Sequence, residues 1–130
     1  MNEKKKILII DDDKFLVHMY AMKFEAGGFT VDSSLSGAEA VEKIKNGFTP
    51  DIILLDLIMP GMDGFAFLEV IKKENLCKDS VLVMLTNQGL ASDISKAEGY
   101  GIHGYIIKAT TIPSEVVEEV KQIYKRVKEK

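Results

Sequence analysis

The stretch "ILIIDDDKFL", residues 7–16, joins four aliphatic side chains directly to three carboxylates, and it decides the fold. A continuous aliphatic run of this kind is typical of a strand that is covered on both faces. Similar or shorter runs recur along the chain, which predicts five strands. The strand candidates are "KILII" at 6–10, "FTVDS" at 29–33, "DIILL" at 51–55, "VLVML" at 81–85 and "GYIIK" at 104–108.

Between these strands, apolar residues recur at helical spacing and predict helices. The fourth helix, in "LASDISKAEGYG", is predicted to be weak because it carries two Ser and two Gly. This alternation predicts a doubly wound α/β fold with a parallel sheet, in a single domain over 1–130. Local start signals for the other helices are Asp13, a Ser36–Glu39 capping box, Asp63 and Pro113.

The charge balance limits the classes of partner. Lys and Arg number 17 and Asp and Glu 20, for a net charge of -3, so we expect no direct binding to nucleic acid and no attraction to an anionic membrane. No stretch approaches the roughly 20 apolar residues of a membrane span. The single Cys77 cannot form an internal disulfide, which suits a reducing compartment and predicts a cytoplasmic protein.

Reactive side chains stand at the ends of four of the predicted strands. The first strand ends in Asp11 and Asp12, the third in Asp56, the fourth in Thr86 and the fifth in Lys108. Ligands of doubly wound folds bind beyond the carboxyl ends of the strands. We therefore expect these five side chains to converge on one crevice.

Clustered carboxylates of this kind predict a metal site. Two carboxylates about 4 Å apart repel by about 4 kcal/mol at an effective dielectric of 20, and a divalent cation removes that conflict. Mg²⁺ suits a site with few carboxylates and room for water. A carboxylate beside Mg²⁺ at a strand tip, as predicted for Asp56, can be a nucleophile toward phosphorus. Taken singly, each residue also has a plainer interpretation: an Asp as a helix cap, Lys108 as a surface lysine and Thr86 as an ordinary strand end.

Four motifs, taken in their order along the chain, resemble the receiver domain of bacterial two-component response regulators. They are "ILIIDDD", "DIILLDLIMPGMDG", "VLVMLTNQG" and "GYIIK". The resemblance covers the chain from about Lys5 to Tyr124. It implies a flavodoxin-like sheet of five parallel strands in the order 2-1-3-4-5, with five helices.

The resemblance also implies a ligand set for Mg²⁺. Asp56 would accept a phosphoryl group from a histidine kinase or a histidine phosphotransfer protein. Asp12 and Asp56 would bind Mg²⁺ directly, and Asp11 would act mainly through water. The backbone carbonyl of Ile58 would be a further ligand.

Three more residues match the family's phosphoryl-binding and switch positions. Lys108 would neutralise the phosphoryl oxygens, and Thr86 would donate a hydrogen bond to one of them. Tyr105 would be the switch aromatic, turning inward from a position that faces solvent. The resemblance thus implies a phosphorylation-activated switch that is read by a protein target at the face of the fourth helix, fifth strand and fifth helix. No independent enzymatic turnover is expected beyond phosphorylation and dephosphorylation of the chain itself.

The chain departs from the family pattern at several positions. Many receivers follow the lysine with a proline in a cis peptide, but here Ala109 follows, and we expect a trans bond because a cis bond would cost about 2.5 to 4 kcal/mol. Asn87 stands where a small residue is common. Ile58 and Gln88 occupy positions that tune hydrolysis, which leaves the lifetime of the phosphorylated state open. Six residues follow Tyr124, and we expect either a single-domain regulator or an excised receiver.

Two other functions fit parts of the sequence. Asp11-x-Asp13 imitates the nucleophile and acid pair of haloacid-dehalogenase-like phosphatases, but Phe15 stands where that pattern wants Thr or Val, and the chain has little room for a cap. A flavodoxin-like FMN-binding module would share the fold, but no Ser/Thr/Gly-rich phosphate loop follows the first strand. Both interpretations are weaker than the receiver interpretation.

Overall fold

The computed structural model describes residues 4–87 and 91–129. Strands and helices alternate along the chain, as the sequence predicts. The elements are β1 (Lys6–Ile10), α1 (Lys14–Ala26), β2 (Thr30–Ser34), α2 (Gly37–Lys45), β3 (Ile52–Leu55), α3 (Gly64–Lys73), β4 (Val81–Thr86), α4 (Ala91–Gly99), β5 (Gly104–Ile107) and α5 (Pro113–Lys128).

The five strands form one parallel sheet in the order β2-β1-β3-β4-β5, which confirms the predicted fold. After β1 the chain crosses to one side to form β2 and then returns to the other side to form β3. The strand order therefore reverses between β1 and β3, where Ile10 lies beside Leu55 at the carboxyl edge. Doubly wound folds bind their ligands at this switch point.

Two apolar layers cover the sheet because successive side chains of a strand point to opposite faces. Ile7 and Ile9 of β1 pack with α1 and α5, whereas Leu8 and Ile10 pack with α2, α3 and α4. All four side chains are buried, as are those of β3. The continuous aliphatic runs of the sequence thus belong to strands that are covered twice.

The predicted start signals act where the sequence places them. The Asp13 carboxylate accepts hydrogen bonds from the backbone N–H groups of Phe15 and Leu16, at 3.0 and 3.1 Å. Ser36 accepts one from the Glu39 N–H at 3.1 Å, so it caps α2, although the return bond of the predicted capping box is not formed among the described residues. Asp63 caps α3 by accepting from the Ala66 N–H at 2.8 Å. Pro113 is the first residue of α5. Local cap chemistry therefore fixes the starts of these helices.

Some boundaries differ from the prediction by a residue. β2 begins and ends one residue later than predicted. β5 ends at Ile107, the partner of Thr86 at the end of β4, and Lys108 begins a single 3-10 turn that ends at Thr110. The strand stops there because β4 offers no further partner. Within the described ranges no peptide bond is cis, which confirms the trans bond expected before Ala109.

α4 is the weak helix that the sequence predicts. Within Ala91–Gly99 the single buried side chain is that of Ala97. No helix in the described part of the chain is long and apolar enough to cross a membrane.

An acidic site at the carboxyl edge of the sheet

Three carboxylates meet at the switch point. Asp11 and Asp12 follow β1, and Asp56 follows β3, whose chain is tied to β1 by a 2.9 Å hydrogen bond from the Asp56 N–H to the Ile10 carbonyl. Carboxylate oxygens of Asp11, Asp12 and Asp56 all lie within 4.8 Å of one another. Asp11 and Asp56 are buried and Asp12 is exposed. The predicted convergence of these three residues is confirmed.

Lys108 joins the two buried carboxylates across the site. Its Nζ lies 2.6 Å from Oδ2 of Asp11 and 3.3 Å from Oδ2 of Asp56. The lysine side chain is only 7% exposed, which rules out the plainer interpretation of a surface lysine. The fifth strand thus brings its ammonium group to carboxylates delivered by the first and third strands.

Burial and neighbouring charges shift the pKa values of Asp56 and Lys108. Burial raises the pKa of Asp56, and the nearby Asp11 charge adds to the shift, whereas Lys108 and the backbone N–H of Ile58 oppose it. Burial alone would lower the pKa of Lys108, but its hydrogen bond to Asp11 and the charges of Asp56 and Asp11 raise it above its ordinary value. Lys108 therefore stays an ammonium, and an ionised Asp56 is strained without a further cation.

The residues present fit a divalent cation. Three carboxylates against one ammonium leave two negative charges in excess. The oxygen donors suit a hard cation, and the exposed Asp12 leaves the site open to water, which Mg²⁺ retains in most protein sites. Asp11, Asp12 and Asp56 could hold such an ion.

Thr86 offers an unused hydrogen-bond donor at the end of β4. Its side chain is 1% exposed, and its hydroxyl has no partner among the described residues. An unsatisfied buried hydroxyl costs about 1 to 3 kcal/mol. This cost would be recovered if a ligand oxygen, such as one of a phosphoryl group, came within reach.

Two further predicted residues lie at the margins of the site. Tyr105 is half-buried and packs against the core layer beneath α4 instead of facing solvent fully. Burial raises its pKa, as do the charges of Asp93 in α4 and of Asp56. Ile58 is 60% exposed, and its backbone N–H faces the Asp56 carboxylate. Asn87 is exposed. Gln88 lies outside the described residues.

Sequence reasoning missed the contribution of Gly64. Its N–H donates to the Leu57 carbonyl at 2.8 Å. A Cβ at this position would come within 2.7 Å of the Asp56 carbonyl oxygen and 2.9 Å of Leu57 Cα. Only glycine allows α3 to start this close to the peptide of Asp56. The glycine after Asp63 in "GMDG" was the available signal.

The structure does not favour the phosphatase alternative, because Asp13, the second acid of that pattern, lies outside the acidic cluster. Asp13 caps α1, and the acidic cluster consists of Asp11, Asp12 and Asp56. An acid pair made of Asp11 and Asp13 is therefore not formed for chemistry at this edge.

Comparisons with known proteins agree with this geometry. The response regulator receiver domain model matches residues 7–121. The phosphate regulon transcriptional regulatory protein PhoB of Escherichia coli is 30% identical over 123 residues, which make up 95% of this chain and 53% of that protein. The transcriptional regulatory protein ResD of Bacillus subtilis is 34% identical over 124 residues, 93% of this chain and 48% of that protein. The chain spans about half the length of these relatives.

Solved structures share the fold. The chemotaxis protein CheY4 of Vibrio cholerae matches with a TM-score of 0.85 and 23% identity, covering 93% of this chain and 99% of that one. A CheY-like response regulator receiver domain protein of Methanospirillum hungatei matches with a TM-score of 0.84 and 26% identity, covering 95% and 96% of the two chains. Fold, acidic site and family match agree, and the chain belongs to the response regulator receiver domain family.

Proposed function

We propose that the chain is a phosphorylation-controlled switch of a two-component system, with Asp56 as the phosphoryl acceptor. One observation carries the proposal: Asp56 lies buried at the switch point, within 4.8 Å of two further carboxylates and 3.3 Å from an ammonium group. Phosphoryl transfer asks mainly for positioning and for neutralisation of the phosphoryl oxygens. These side chains supply both.

The transfer itself makes and breaks one bond. A carboxylate oxygen of Asp56 attacks the phosphorus of a phosphohistidine, the N–P bond breaks, and its electron pair returns to the imidazole of the donor. The product is an acyl phosphate on Asp56. Asp12, Asp56 and the backbone carbonyl of Ile58 would hold Mg²⁺ directly, and Asp11 would hold it mainly through water. The bound ion would supply positive charge for the phosphoryl oxygens.

The residues that now hold Asp56 would then act on the phosphoryl group. Lys108 bridges Asp11 and Asp56, and it would keep Asp11 while it exchanges the Asp56 oxygen for a phosphoryl oxygen. The unpaired hydroxyl of Thr86 would donate to another oxygen. Hydrolysis of the acyl phosphate resets the site, so the chain acts on itself and has no independent turnover.

The partners follow from the same chemistry. The donor is a histidine kinase or a histidine phosphotransfer protein in the cytoplasm. The target is a protein that reads the face formed by α4, β5 and α5. Two observations support that face: α4 is weakly buried, and Tyr105 lies within electrostatic range of both Asp93 in α4 and Asp56.

The proposal is tested by intact mass after incubation with acetyl phosphate and Mg²⁺. We expect a gain of one phosphoryl group in the wild type and none without Mg²⁺. Asp56→Asn should abolish the gain, while Asp13→Asn, which changes a cap outside the site, should keep it. Undiminished labelling of Asp56→Asn would refute the assignment.

A further inference from the structure

An aromatic contact attaches the weak helix α4 to its neighbour α3. The ring centroids of Phe65, in the first turn of α3, and Tyr100, directly after α4, lie 6.2 Å apart with planes inclined by 30°. The ammonium group of Lys96, in the last turn of α4, lies 4.4 Å from the centroid of the Phe65 ring. Both rings pack against the core layer of α2, α3 and α4. We call these three residues the Phe65 contact.

The Phe65 contact contributes much of the packing that holds α4 in place, because α4 buries little of its own apolar surface. Ala97 is the buried side chain of this helix, and an alanine contributes little apolar area. An aromatic pair or a cation–π contact shifts an equilibrium by about two- to tenfold. The position of α4 is therefore sensitive to the Phe65 ring.

The same ring is linked to the site through the backbone. Phe65 directly follows Gly64, whose missing Cβ leaves the first turn of α3 in close contact with the Asp56 carbonyl. The Gly64 N–H donates to the Leu57 carbonyl at 2.8 Å. These contacts offer a path from the Asp56 peptide to the first turn of α3 that does not include Thr86 or Tyr105.

We propose that Phe65 is a positioning residue that holds α4 in its unphosphorylated arrangement and releases it when the peptide of Asp56 moves. The inference rests on the proposed function, because it names a second route from the same phosphoryl site to the same face. A ligand shifts a two-state equilibrium only through its differential affinity for the two states. Weakening the contact that favours the unphosphorylated state therefore raises the affinity for a phosphoryl mimic, by the same factor when the phosphorylated-like arrangement is a small minority and by less when it is not.

The test measures the affinity for beryllofluoride, a phosphoryl mimic, in saturating Mg²⁺ by isothermal titration calorimetry. Phe65→Leu keeps an apolar side chain but removes the ring, and we expect its affinity to rise about three- to tenfold over wild type. Lys96→Gln removes the cation alone and should give a rise of about twofold. Tyr100→Phe, which keeps the ring, is the matched control and should bind like wild type.

A merely structural role would not raise the affinity. If Phe65→Leu only loosened the core, it would lower the melting temperature and leave the affinity unchanged or weaker. Unchanged or weaker binding by Phe65→Leu would overturn the inference.

A second measurement needs no ligand at Asp56. Without beryllofluoride, amide hydrogen exchange over 91–99 should be faster in Phe65→Leu than in wild type, by a larger factor than exchange in α5, which reports any loss of global stability. Equal exchange in both proteins would also overturn the inference. Failure of wild type to bind beryllofluoride would instead refute the proposed function, and the exchange measurement would still decide the role of Phe65.

Discussion

The two helices that flank β5 are anchored very differently. α5 buries Val116, Val117, Val120 and Ile123, whereas α4 buries Ala97. Burying a valine or isoleucine contributes about 1.5 to 3 kcal/mol each, and an alanine contributes far less. One side of the proposed output face is thus part of the core, and the other side is held by a few partial contacts. A receiver that changes this face on phosphorylation would move α4 against a fixed α5.

The largest expected difference between the two helices is in the response of their amide hydrogen exchange to Mg²⁺. A cation held by Asp11, Asp12 and Asp56 would bind the native state and not the unfolded chain, and at a hundredfold excess over its dissociation constant it would raise the free energy of unfolding by about 2.7 kcal/mol. Amides of α5, which exchange through global unfolding, should slow about a hundredfold, while amides of α4, which exchange through local opening, should not change. Hydrogen exchange with and without Mg²⁺ measures both.

Asp12→Ala is the control for this effect. The variant should lose the response of its unfolding free energy to Mg²⁺, and without metal it should be at least as stable as wild type because one repelling carboxylate is gone. A wild-type response in Asp12→Ala would show that Asp12 is not a ligand.

Truncation of one side chain in each helix should give unequal losses. Val120→Ala leaves a cavity at a site with 0% exposure, and we expect a loss of about 2 kcal/mol in the free energy of unfolding. Ile94→Ala, at a half-buried position of α4, should cost less than about 1 kcal/mol. Urea unfolding of both variants gives the comparison, and equal losses would contradict the view of α4 as weakly anchored.

Thr86→Ala should separate the two routes to α4. We expect phosphorylation to persist, with a change of under about 1 kcal/mol in stability, because the lost methyl group is offset by removal of an unsatisfied hydroxyl. Phosphorylation-induced amide shifts at Tyr105 should disappear, whereas those at Phe65 and Tyr100 should remain. Thr86→Ser, which keeps the hydroxyl, should behave like wild type, and full shifts at Tyr105 in Thr86→Ala would exclude the Thr86 route.

The smallest expected effect is a pH dependence at His103, which directly precedes β5 and contacts both β4 and α5. Its Nδ1 accepts the Leu82 N–H at 3.0 Å, and its carbonyl accepts from Arg126 of α5 at 2.8 Å. Burial lowers the pKa of His103, and the charges of Lys128 and Arg126 lower it further.

As the pH falls, His103 therefore takes up a proton at a higher pH in the unfolded chain than in the folded chain. The stability that neutral His103 contributes is fully present above about pH 6.5, falls as the pH drops below that value, and levels off below the folded pKa. Urea unfolding at a series of pH values should show a shallow decline that His103→Gln lacks. A wild-type curve parallel to that of His103→Gln would remove His103 from consideration.

The sequence was sufficient wherever the physical signal is local or set by the topology. The runs at β1, β3 and β4 are aliphatic because both faces are covered, and the caps at Asp13, Ser36 and Asp63 need only neighbouring N–H groups. Because the carboxyl ends of parallel strands lie at one edge of the sheet, the strand pattern alone predicts that Asp11, Asp12, Asp56 and Lys108 lie close together.

Other features depend on contacts between distant parts of the chain. Phe65 and Tyr100 each lie at helical positions that fit an ordinary core contact, and nothing in either segment indicates that the two rings meet. The closeness of Gly64 to the Asp56 carbonyl depends on the angle at which α3 leaves the sheet. The partial burial of Tyr105 depends on how α4 lies over it. Side-chain packing, which sequence periodicity does not encode, decides all three.

The position of Lys108 has a consequence for biosynthesis. The ammonium group that neutralises Asp11 comes from 97 positions further along the chain. During synthesis from the amino terminus, the acidic loops emerge well before their cation, and they repel one another until the last strand is added to the sheet. A nascent or truncated chain without Lys108 therefore lacks the ammonium group that pairs with Asp11 and Asp56. The pair of Lys108 and Asp11 thus forms only after all five strands have been made, so that its presence reports a completed sheet.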